Sequence, residues 1–183
     1  MASAMAGQLQ DKVALITGAG RGIGVGIANV LVERGAVVAL CDLNGAAAQE
    51  TADAINADGG KAIGGAVDVT DPDSLDHFAG RTISEFGGID ICVANAGVIG
   101  GRGFSERVDF TKEDWDMTFA VNVQGMTNTT DAVKEHMKDR EQGKIVIIAS
   151  HGGRKPRGVG DKGRGNAQHP YLVSKAAAIQ YTH

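Results

Sequence analysis

The sequence predicts an α/β fold in which helices cover both faces of a doubly wound parallel sheet. Short apolar runs rich in Val and Ile alternate with longer segments of helical period. Most of these runs are continuous rather than alternating, as in strands that are covered on both faces. The length of 183 residues suits one domain with one core. We therefore expect a single domain over residues 1–183, with a flexible N-terminus at residues 1–10.

Five apolar runs are the candidate strands of this sheet. They cover residues 12–17, 36–41, 61–67, 89–94 and 144–150. Helices with recognisable ends are predicted between them. The first begins at a glycine loop and ends at Gly35, the second covers residues 46–57, and a long fourth helix covers residues 112–140. The third begins with Asp71 as its N-cap and Pro72 at its first position.

Residues 152–170 are the exception to this pattern, because they are rich in Gly, Lys and Arg and contain few apolar side chains. They predict a long surface loop, and loops beyond about 15 residues inside compact domains are usually functional or disordered. The basic charge of the loop suits steering of an anionic substrate, although a solvated surface is the simpler interpretation. A third interpretation is a partner-binding loop, in which deletion of residues 158–165 abolishes partner binding and spares cofactor affinity.

The composition narrows the classes of function. Glycine supplies 27 of the 183 residues, about twice the average frequency of roughly 7 %. The net charge of -4 disfavours a protein that coats nucleic acid or an anionic membrane. No apolar run is long enough to span a bilayer, and the N-terminus lacks a basic start. We expect a cytoplasmic protein with a small-molecule partner, no nucleic acid and no membrane.

The cysteines and histidines give no sign of a metal site. Cys41 and Cys92 lie inside apolar runs without disulfide or zinc spacing, which predicts buried thiols in a reducing compartment. The histidines also lack metal-ligand spacing. A serine/histidine hydrolase is disfavoured because Ser150 does not lie in a Gly-x-Ser-x-Gly motif. We therefore expect no metal.

The strongest motif follows the first predicted strand. There the sequence Thr-Gly-Ala-Gly-Arg-Gly-Ile-Gly covers residues 17–24 and leads into a helix. Glycines let the chain approach a pyrophosphate, while the open N–H groups and the dipole of the helix favour an anion. A glycine pattern alone is weak, but its position between a strand and a helix strengthens it. The candidate cofactor-binding residues here are Gly18, Gly20, Arg21, Gly22, Ile23 and Gly24.

Asp42 ends the second apolar run and is placed to bind the ribose hydroxyls of adenosine. A 2′-phosphate would face this carboxylate, and two unit charges about 4 Å apart near a surface repel by roughly 4 kcal/mol before screening. Half of that energy would weaken the binding of NADP by more than tenfold. Arg21 favours the opposite choice, because a guanidinium can pair with a 2′-phosphate. We expect NAD rather than NADP. The simpler alternatives are a turn or N-cap role for Asp42 and a solvated charge for Arg21.

The order of these motifs resembles the short-chain dehydrogenase/reductase family, which has an NAD(P)-binding Rossmann fold. The first motif of that family, Thr-Gly-x-x-x-Gly-x-Gly, is matched within residues 17–24. The resemblance implies that Asp68 and Val69, after the third strand, contact the adenine. The turn that the family forms after its fourth strand is matched by Asn95, Ala96 and Gly97, although Ala94 stands where the family often has Asn.

The resemblance covers residues 10–183, with two departures. The gap between Ser150 and Tyr171 is longer than is usual in the family, and the chain ends within the helix that begins near Tyr171. Family members continue with a sixth and a seventh strand, so we expect a sheet that is truncated before those strands. The resemblance also implies a homo-oligomer, a dimer or tetramer, if the full fold is present.

The resemblance implies a catalytic set of Asn122, Ser150, Tyr171 and Lys175. A phenol has a pKa of about 10, and a nearby ammonium favours the phenolate, so Tyr171 suits proton transfer. Lys175 follows four residues later, and a helix places both on one face, where Lys175 also reaches the cofactor ribose. Ser150 would hydrogen-bond the substrate oxygen. Asn122 would hold the local helix and a water that leads to Lys175.

These residues predict an NAD-dependent oxidoreductase that interconverts a secondary alcohol and a ketone by hydride transfer. The alternative is a nucleotide-binding but catalytically inactive fragment or binding protein, whose signature is cofactor binding without turnover. The substrate pocket is expected at residues 98–108 and at the long loop. The identity of the substrate does not follow from these residues.

Overall fold

The computed structural model of the chain describes residues 7–101, 103, 109–154 and 169–182. Two predicted segments lie partly outside the described residues. These are the N-terminus at residues 1–6 and most of the long loop, at residues 155–168. The predicted substrate segment at residues 98–108 is described only at residues 98–101 and 103. Residues 7–10 form turns, in which the Leu9 N–H donates to the Arg34 carbonyl over 2.9 Å.

Five strands and six α-helices alternate along the described part of the chain. The strands are β1 (Val13–Thr17), β2 (Val37–Asp42), β3 (Ala62–Ala66), β4 (Ile91–Ala94) and β5 (Lys144–Ile147). The helices are α1 (Gly22–Glu33), α2 (Gly45–Ala57), α3 (Pro72–Phe86), α4 (Lys112–Phe119), α5 (Met126–Asp139) and α6 (His169–Tyr181). All strands pair in parallel in the order β3-β2-β1-β4-β5. The predicted parallel α/β sheet is therefore confirmed.

The sheet is covered on both faces, and β1 shows how. Ala14 and Ile16 contribute to a core cluster with residues of α1 and α2. Leu15, which points to the opposite face, contributes to a cluster with residues of α3 and α5. Because neighbouring strand residues point to opposite faces, a strand that is buried on both sides has to be a continuous apolar run. All five residues of β1 are buried.

The ends of α3 follow the predicted capping chemistry. The Asp71 side chain accepts a hydrogen bond from the Asp73 N–H over 3.1 Å at the N-terminus. Gly87 ends the helix in the left-handed conformation with φ 83°, which glycine adopts without steric cost. Asp71 thus sets where α3 begins, and Gly87 sets where it ends and the chain turns toward β4.

The predicted helix over residues 112–140 is wrong in one respect. It is divided into α4 and α5 by a π-helical segment, Ala120–Gly125. Such segments are rare and often occur at functional sites. The segment contains Asn122, whose side chain is buried.

Two further boundaries differ from the prediction. The predicted loop over residues 152–170 is wrong at its two ends, because Gly152 and Gly153 belong to a 3-10 turn and α6 already begins at His169. Pro170 is compatible with the first turn of α6, where a backbone N–H has no helical partner. Strand β5 also ends three residues before Ser150.

Strand β5 lies at one edge of the sheet, where it pairs with β4. Its apolar residues Ile145 and Val146 are 41 % and 45 % exposed. In the described part of the chain, β5 is therefore less completely covered than β1. Among the described residues, none of the helices combines the length and the apolar composition needed to cross a bilayer.

Candidate functional site

A cleft of about 860 Å³ opens at the carboxyl ends of the strands, beside β1, β2 and β4. The strand order reverses between β1 and β4, and ligands of open α/β sheets bind at such a switch point. Most of the lining comes from the β1–α1 loop and from the segments at the ends of β2, β3 and β4, and α2 and the π-helical segment add one residue each. The lining residues are Gly18, Gly20, Arg21, Gly22, Ile23, Asp42, Leu43, Asn44, Ala47, Val67, Asp68, Val69, Asn95, Ala96, Gly97, Val98 and Val121.

The glycine loop lies against the turn after β4. Gly18 has a φ of +66°, and a Cβ on it would lie 2.8 Å from the Ala96 Cα. Gly22 also has a positive φ, of +60°. A side chain at Gly18 would both strain the backbone and collide with the neighbouring loop. The loop therefore depends on glycine where it borders the cleft.

Helix α1 begins at this loop without a side-chain cap. Arg21 occupies the N-cap position and makes no capping hydrogen bond. The first N–H groups of a helix have no partner within it, and with the helix dipole they favour an anion. Gly24 lies within the first turn, where a Cβ would be 2.3 Å from the Gly18 carbonyl oxygen. Gly24 is thus a packing residue that brings α1 close to the glycine loop, and it does not line the cleft.

Thr17 and Asn95 connect the two loops that border the cleft. The Asn95 side-chain amide donates to the carbonyls of Thr17 and Gly18 over 2.9 and 3.0 Å. The backbone N–H groups of Asn95 and Ala96 both donate to the Thr17 hydroxyl over 3.2 Å. These bonds hold the β1–α1 loop and the turn after β4 as one unit. Asn95 therefore shapes the glycine loop as well as lining the cleft.

Asp42 stands at the end of β2 with its carboxylate held by two backbone groups. Its Oδ2 accepts from the Gly20 N–H and its Oδ1 from the Asn44 N–H, each over 3.0 Å. Asp42 thus has the turn role that was its simpler alternative, and it also lines the cleft beside Arg21. Each carboxylate oxygen has a second lone pair that can accept from a ribose hydroxyl.

Asp68 and Val69 line the cleft where the chain leaves β3. Asp68 is exposed, and its Oδ1 accepts from both the N–H and the hydroxyl of Thr70, over 2.9 and 2.7 Å. The pair of bonds fixes the carboxylate at the border of the cleft. Val69 is 7 % exposed and contributes to the core beside the cleft.

Asn122 fastens three segments together from the π-helical segment. Its amide nitrogen donates to the Val98 carbonyl and the Ser174 hydroxyl over 2.8 and 2.9 Å, and its oxygen accepts from the Val98 N–H over 2.8 Å. The Ser174 hydroxyl in turn donates to the Tyr171 carbonyl over 2.7 Å. The side chain thus holds the segment after β4 against α6.

Lys175 extends from α6 toward the cleft. Its side chain is buried, with 6 % of the residue exposed, and its Nζ donates to the Ile148 carbonyl over 2.6 Å. A Cβ on Gly97 would lie 3.6 Å from the same Nζ and 3.3 Å from the Asn122 Oδ1. The ammonium therefore lies beside Gly97, which lines the cleft.

Tyr171 and Lys175 lie on one face of α6, as their spacing predicts. The Lys175 Nζ is 5.8 Å from the centroid of the Tyr171 ring. Burial lowers the pKa of Lys175, because a low-dielectric environment disfavours its charge. No carboxylate among the described residues lies within salt-bridge distance of its ammonium. A phenolate or a ribose hydroxyl beside it would supply a polar partner.

Ser150 does not end the fifth strand, so that prediction is wrong. It caps the 3-10 turn His151–Gly153, and its hydroxyl oxygen accepts from the Gly152 N–H over 3.2 Å. Serine favours such local bonds to its own backbone at turns. Because the oxygen accepts, the hydroxyl hydrogen can still donate. A Cβ on Gly153 would lie 2.6 Å from the Lys175 backbone, which places this turn directly against α6.

The predicted cofactor-binding and catalytic residues fall into two groups. Those of the glycine loop from Gly18 to Ile23, Asp42, and residues 68–69 and 95–97 line the cleft. The predicted residues outside its lining are Gly24, Asn122, Ser150, Tyr171 and Lys175. Apart from Gly24, which lies in α1, these residues belong to α6 or to segments that contact it, and Lys175 and Asn122 approach the cleft at Gly97.

Several lining residues did not emerge from the sequence. Leu43, Asn44, Val67 and Val121 lie within two residues of predicted site residues in the chain, so an extension of each motif by one or two positions finds them. Ala47 of α2 has no such signal, and it reaches the cleft through tertiary packing.

The burial of Lys175 predicts an unusual pH dependence of stability. Between its lowered pKa in the folded protein and about 10.4 in the unfolded chain, the unfolded chain binds more protons, so stability rises with pH. We expect the free energy of unfolding of the wild type to rise relative to that of Lys175→Met as the pH is raised from neutral toward about 10. Denaturant titration at a series of pH values measures this difference.

Lys134 provides the contrasting control for this experiment. A hydrogen bond to Asp131 raises the pKa of Lys134. Its contribution to stability is therefore present at neutral pH and is lost as the pH rises through the raised value. The difference between wild type and Lys134→Met should therefore stay constant from neutral pH to about 10, the range in which the difference for Lys175→Met changes. A pH-independent difference for Lys175→Met would contradict the burial of its charge.

The comparison with known proteins agrees with a dinucleotide-binding α/β fold. A model of the short chain dehydrogenase family matches residues 12–183. The chain therefore belongs to the short-chain dehydrogenase family. The fold and the family follow from different observations, one from the strand order and the other from the sequence match.

Three known proteins illustrate the relationship. The 2,3-dihydro-2,3-dihydroxybenzoate dehydrogenase of Bacillus subtilis is 34% identical over 95% of this chain and 62% of its own length. The sorbitol dehydrogenase of Cereibacter sphaeroides is 39% identical over 96% of this chain and 63% of its own length. A short chain dehydrogenase/reductase of Burkholderia phymatum, solved in complex with NAD, has a TM-score of 0.83 and 28% identity, over 96% of this chain and 59% of that one. The chain thus spans about three fifths of the length of these relatives.

Proposed function

We propose that the protein is an NAD-dependent oxidoreductase that interconverts a secondary alcohol and a ketone. The observation that carries the proposal is the position of Lys175. Its buried ammonium lies on the same face of α6 as Tyr171 and approaches Gly97, a residue of the nucleotide-sized cleft. A proton-transfer pair that borders a dinucleotide site is what alcohol oxidation requires of a protein.

The cleft fits a dinucleotide. Glycine at Gly18 keeps open a space that a Cβ would close against Ala96. The uncapped start of α1 suits the pyrophosphate, and Asp42 suits the hydroxyls of the adenosine ribose. Asp68 and Val69 would border the adenine, and Lys175 would reach the second ribose. The bound cofactor supplies hydride acceptance and donation at its nicotinamide ring.

The residues around α6 would handle the proton of the alcohol. Tyr171 accepts the hydroxyl proton on its phenolate oxygen as the hydride leaves the carbinol carbon, and it returns the proton in the reduction of a ketone. The Lys175 Nζ lies 5.8 Å from the centroid of the Tyr171 ring, close enough for its charge to act on this proton transfer. Ser150 donates its hydroxyl hydrogen to the substrate oxygen and stabilises the developing charge. Asn122 contributes by position, because its side chain holds Val98 against α6.

The preference for NAD over NADP is proposed from Asp42. Its carboxylate is fixed at the border of the cleft by two N–H groups, so a 2′-phosphate cannot avoid it by a simple side-chain rotation. We expect NADH to bind more than tenfold more tightly than NADPH, and Asp42→Asn to remove most of this difference. Fluorescence titration of the two reduced cofactors measures both values. Tighter binding of NADPH by the wild type would contradict the assignment.

Turnover tests the reaction itself. The protein is incubated with NAD and a panel of secondary alcohols, and reduction of the cofactor is followed by fluorescence. Sorbitol, other polyols and cyclic vicinal diols belong in the panel, because two relatives are named for a polyol and a cyclic diol. We expect at least one of them to reduce NAD in the presence of the wild type.

A second candidate is a protein that binds the nucleotide without catalysis. The observation that favours it is that Ser150, Tyr171 and Lys175 do not line the described cleft. Tight NADH binding combined with no reduction of NAD by any alcohol, and no oxidation of NADH by the matching ketones, would favour this candidate over the oxidoreductase.

A further inference from the structure

We infer that Gly20 is a specificity-determining position, because its N–H and its lack of a side chain together hold the Asp42 carboxylate where it discriminates between cofactors. The inference rests on the proposed NAD preference and extends it to a second residue. Gly20 falls on a variable position of the glycine motif, so the motif itself does not require glycine there. Its role has to be sought in what it contacts.

The backbone conformation of Gly20 gives no reason for glycine. Gly18 and Gly22, on either side, have φ values of +66° and +60°, whereas Gly20 is outside the left-handed region. An L-residue can therefore adopt its backbone angles without strain. The reason lies in the surrounding space instead.

That space is occupied by Asp42. A Cβ on Gly20 would lie 3.0 Å from the Asp42 Cγ, 3.1 Å from its Oδ2 and 3.1 Å from the Ala47 Cβ. Contacts of this length are tighter than almost all real Cβ contacts, so a neighbour has to move by a few tenths of an ångström. The Gly20 N–H donates to the same Oδ2 over 3.0 Å. A side chain at residue 20 would therefore collide with the Asp42 Oδ2, the same atom that the N–H of residue 20 binds.

The other neighbours leave the carboxylate few ways to adapt. The Asn44 N–H binds Oδ1, and the Asn44 side chain caps α2 by accepting from the Ala47 N–H over 3.3 Å. Asp42 is therefore held between the glycine loop and the start of α2. If Asp42 moves away from Gly20, its carboxylate leaves the position that the Gly20 and Asn44 N–H groups fix. The negative charge that repels a 2′-phosphate then moves as well.

The test compares Gly20→Ala with the wild type by titration of NADH and NADPH. We expect the ratio of the two dissociation constants, NADPH over NADH, to fall at least fivefold in Gly20→Ala. The thermal midpoint should remain close to that of the wild type. Gly26→Ala is the control, because a Cβ there meets nothing within 4 Å, and it should leave the ratio unchanged.

A double-mutant cycle separates this role from a general structural one. In the Asp42→Asn background, Gly20→Ala should have no further effect on the ratio, because the carboxylate charge is already absent. If Gly20→Ala fails to fold, Gly20→Ala combined with Ala47→Gly removes one of the close contacts and is tested in its place. A ratio that drops equally in both backgrounds, or an equal weakening of both cofactors, would overturn the inference.

The outcomes also distinguish this inference from the proposed function. A wild type that prefers NADH, with an unchanged ratio in Gly20→Ala, overturns the role of Gly20 alone. A wild type that prefers NADPH overturns the proposed NAD preference and the role of Gly20 with it.

Discussion

Replacement of Tyr171 by Phe is expected to lower kcat by about 10²–10⁴-fold, the usual contribution of a positioned acid or base. The substitution removes the phenolic oxygen and keeps the ring, which lies 5.8 Å from the Lys175 Nζ. Packing of α6 should therefore be preserved. The dissociation constant of NADH should stay within about twofold, because the loops that line the cleft do not contain Tyr171. Turnover with the best alcohol of the panel and NADH titration measure the two effects.

Tyr181 offers a matched control, since it is the other of the two tyrosines and lies on the same helix. Its hydroxyl is 2.9 Å from the Thr130 hydroxyl, away from Lys175. Tyr181→Phe should leave kcat unchanged and cost about 1 kcal/mol of stability or less. If Tyr171→Phe retained turnover within about tenfold of the wild type, Tyr171 would not be the acid/base.

Replacement of Gly24 by Ala is expected to damage both stability and nucleotide binding. A Cβ there would lie 2.3 Å from the Gly18 carbonyl oxygen, 2.8 Å from the Ala19 Cα and 2.9 Å from the Asn95 side-chain nitrogen. Two of these atoms are backbone, so α1 and the glycine loop have to move apart. We expect a loss of about 2–3 kcal/mol in the free energy of unfolding. NADH affinity should fall at least tenfold, because the displaced loop forms one wall of the cleft.

The same substitution two residues later should have the opposite effect on stability. Gly26 lies on the exposed side of α1, where a Cβ meets nothing within 4 Å. Gly26→Ala should raise the free energy of unfolding by about 0.5–1 kcal/mol, because alanine loses less backbone entropy in a helix. Denaturant titration and NADH titration compare the two variants. Equal stability of Gly24→Ala and Gly26→Ala would contradict the close packing of α1 on the glycine loop.

The fold was predictable from the sequence because a strand that is buried on both faces of a sheet is a continuous apolar run. The fully buried residues of β1 read as a continuous apolar run, and Asp71 and Gly87 mark the ends of α3 by chemistry that is local to the chain. Strand β5 was less predictable. Its apolar run continues beyond Ile147, although β5 itself ends there. An apolar run gives the composition of a strand but not where its pairing ends.

The π-helical segment was not predictable from apolar periodicity, because three of the four buried residues that lead into and through it are polar. Buried residues occur at Asp114, Thr118, Asn122 and Met126, at steps of four rather than the 3.6 of an α-helix. A straight α-helix would turn this line of residues gradually away from the core. The wider segment Ala120–Gly125 is where the helix absorbs the mismatch.

The site divides in the same way. The cofactor motifs are short and continuous in the chain, so their position at the carboxyl ends of β1, β2 and β4 follows from the parallel sheet. The approach of Lys175 to Gly97 and the bonds from Asn122 to Val98 join segments that are far apart in sequence. Such contacts depend on how α6 packs, and no periodicity encodes them. The local turn in which the Ser150 hydroxyl accepts a hydrogen bond was also not predicted, because it directly follows an apolar run.

Transfer of deuterium from alcohol to cofactor is the most direct test of the proposed hydride transfer. The most active alcohol of the panel is deuterated at its carbinol carbon and incubated with NAD, and the reduced nicotinamide is analysed by mass spectrometry. We expect deuterium in the nicotinamide ring with the wild type, and transfer that is slower by about 10²–10⁴-fold with Tyr171→Phe at equal NADH affinity. Transfer at the same rate by both proteins, or none by a wild type that binds NAD, would contradict this expectation.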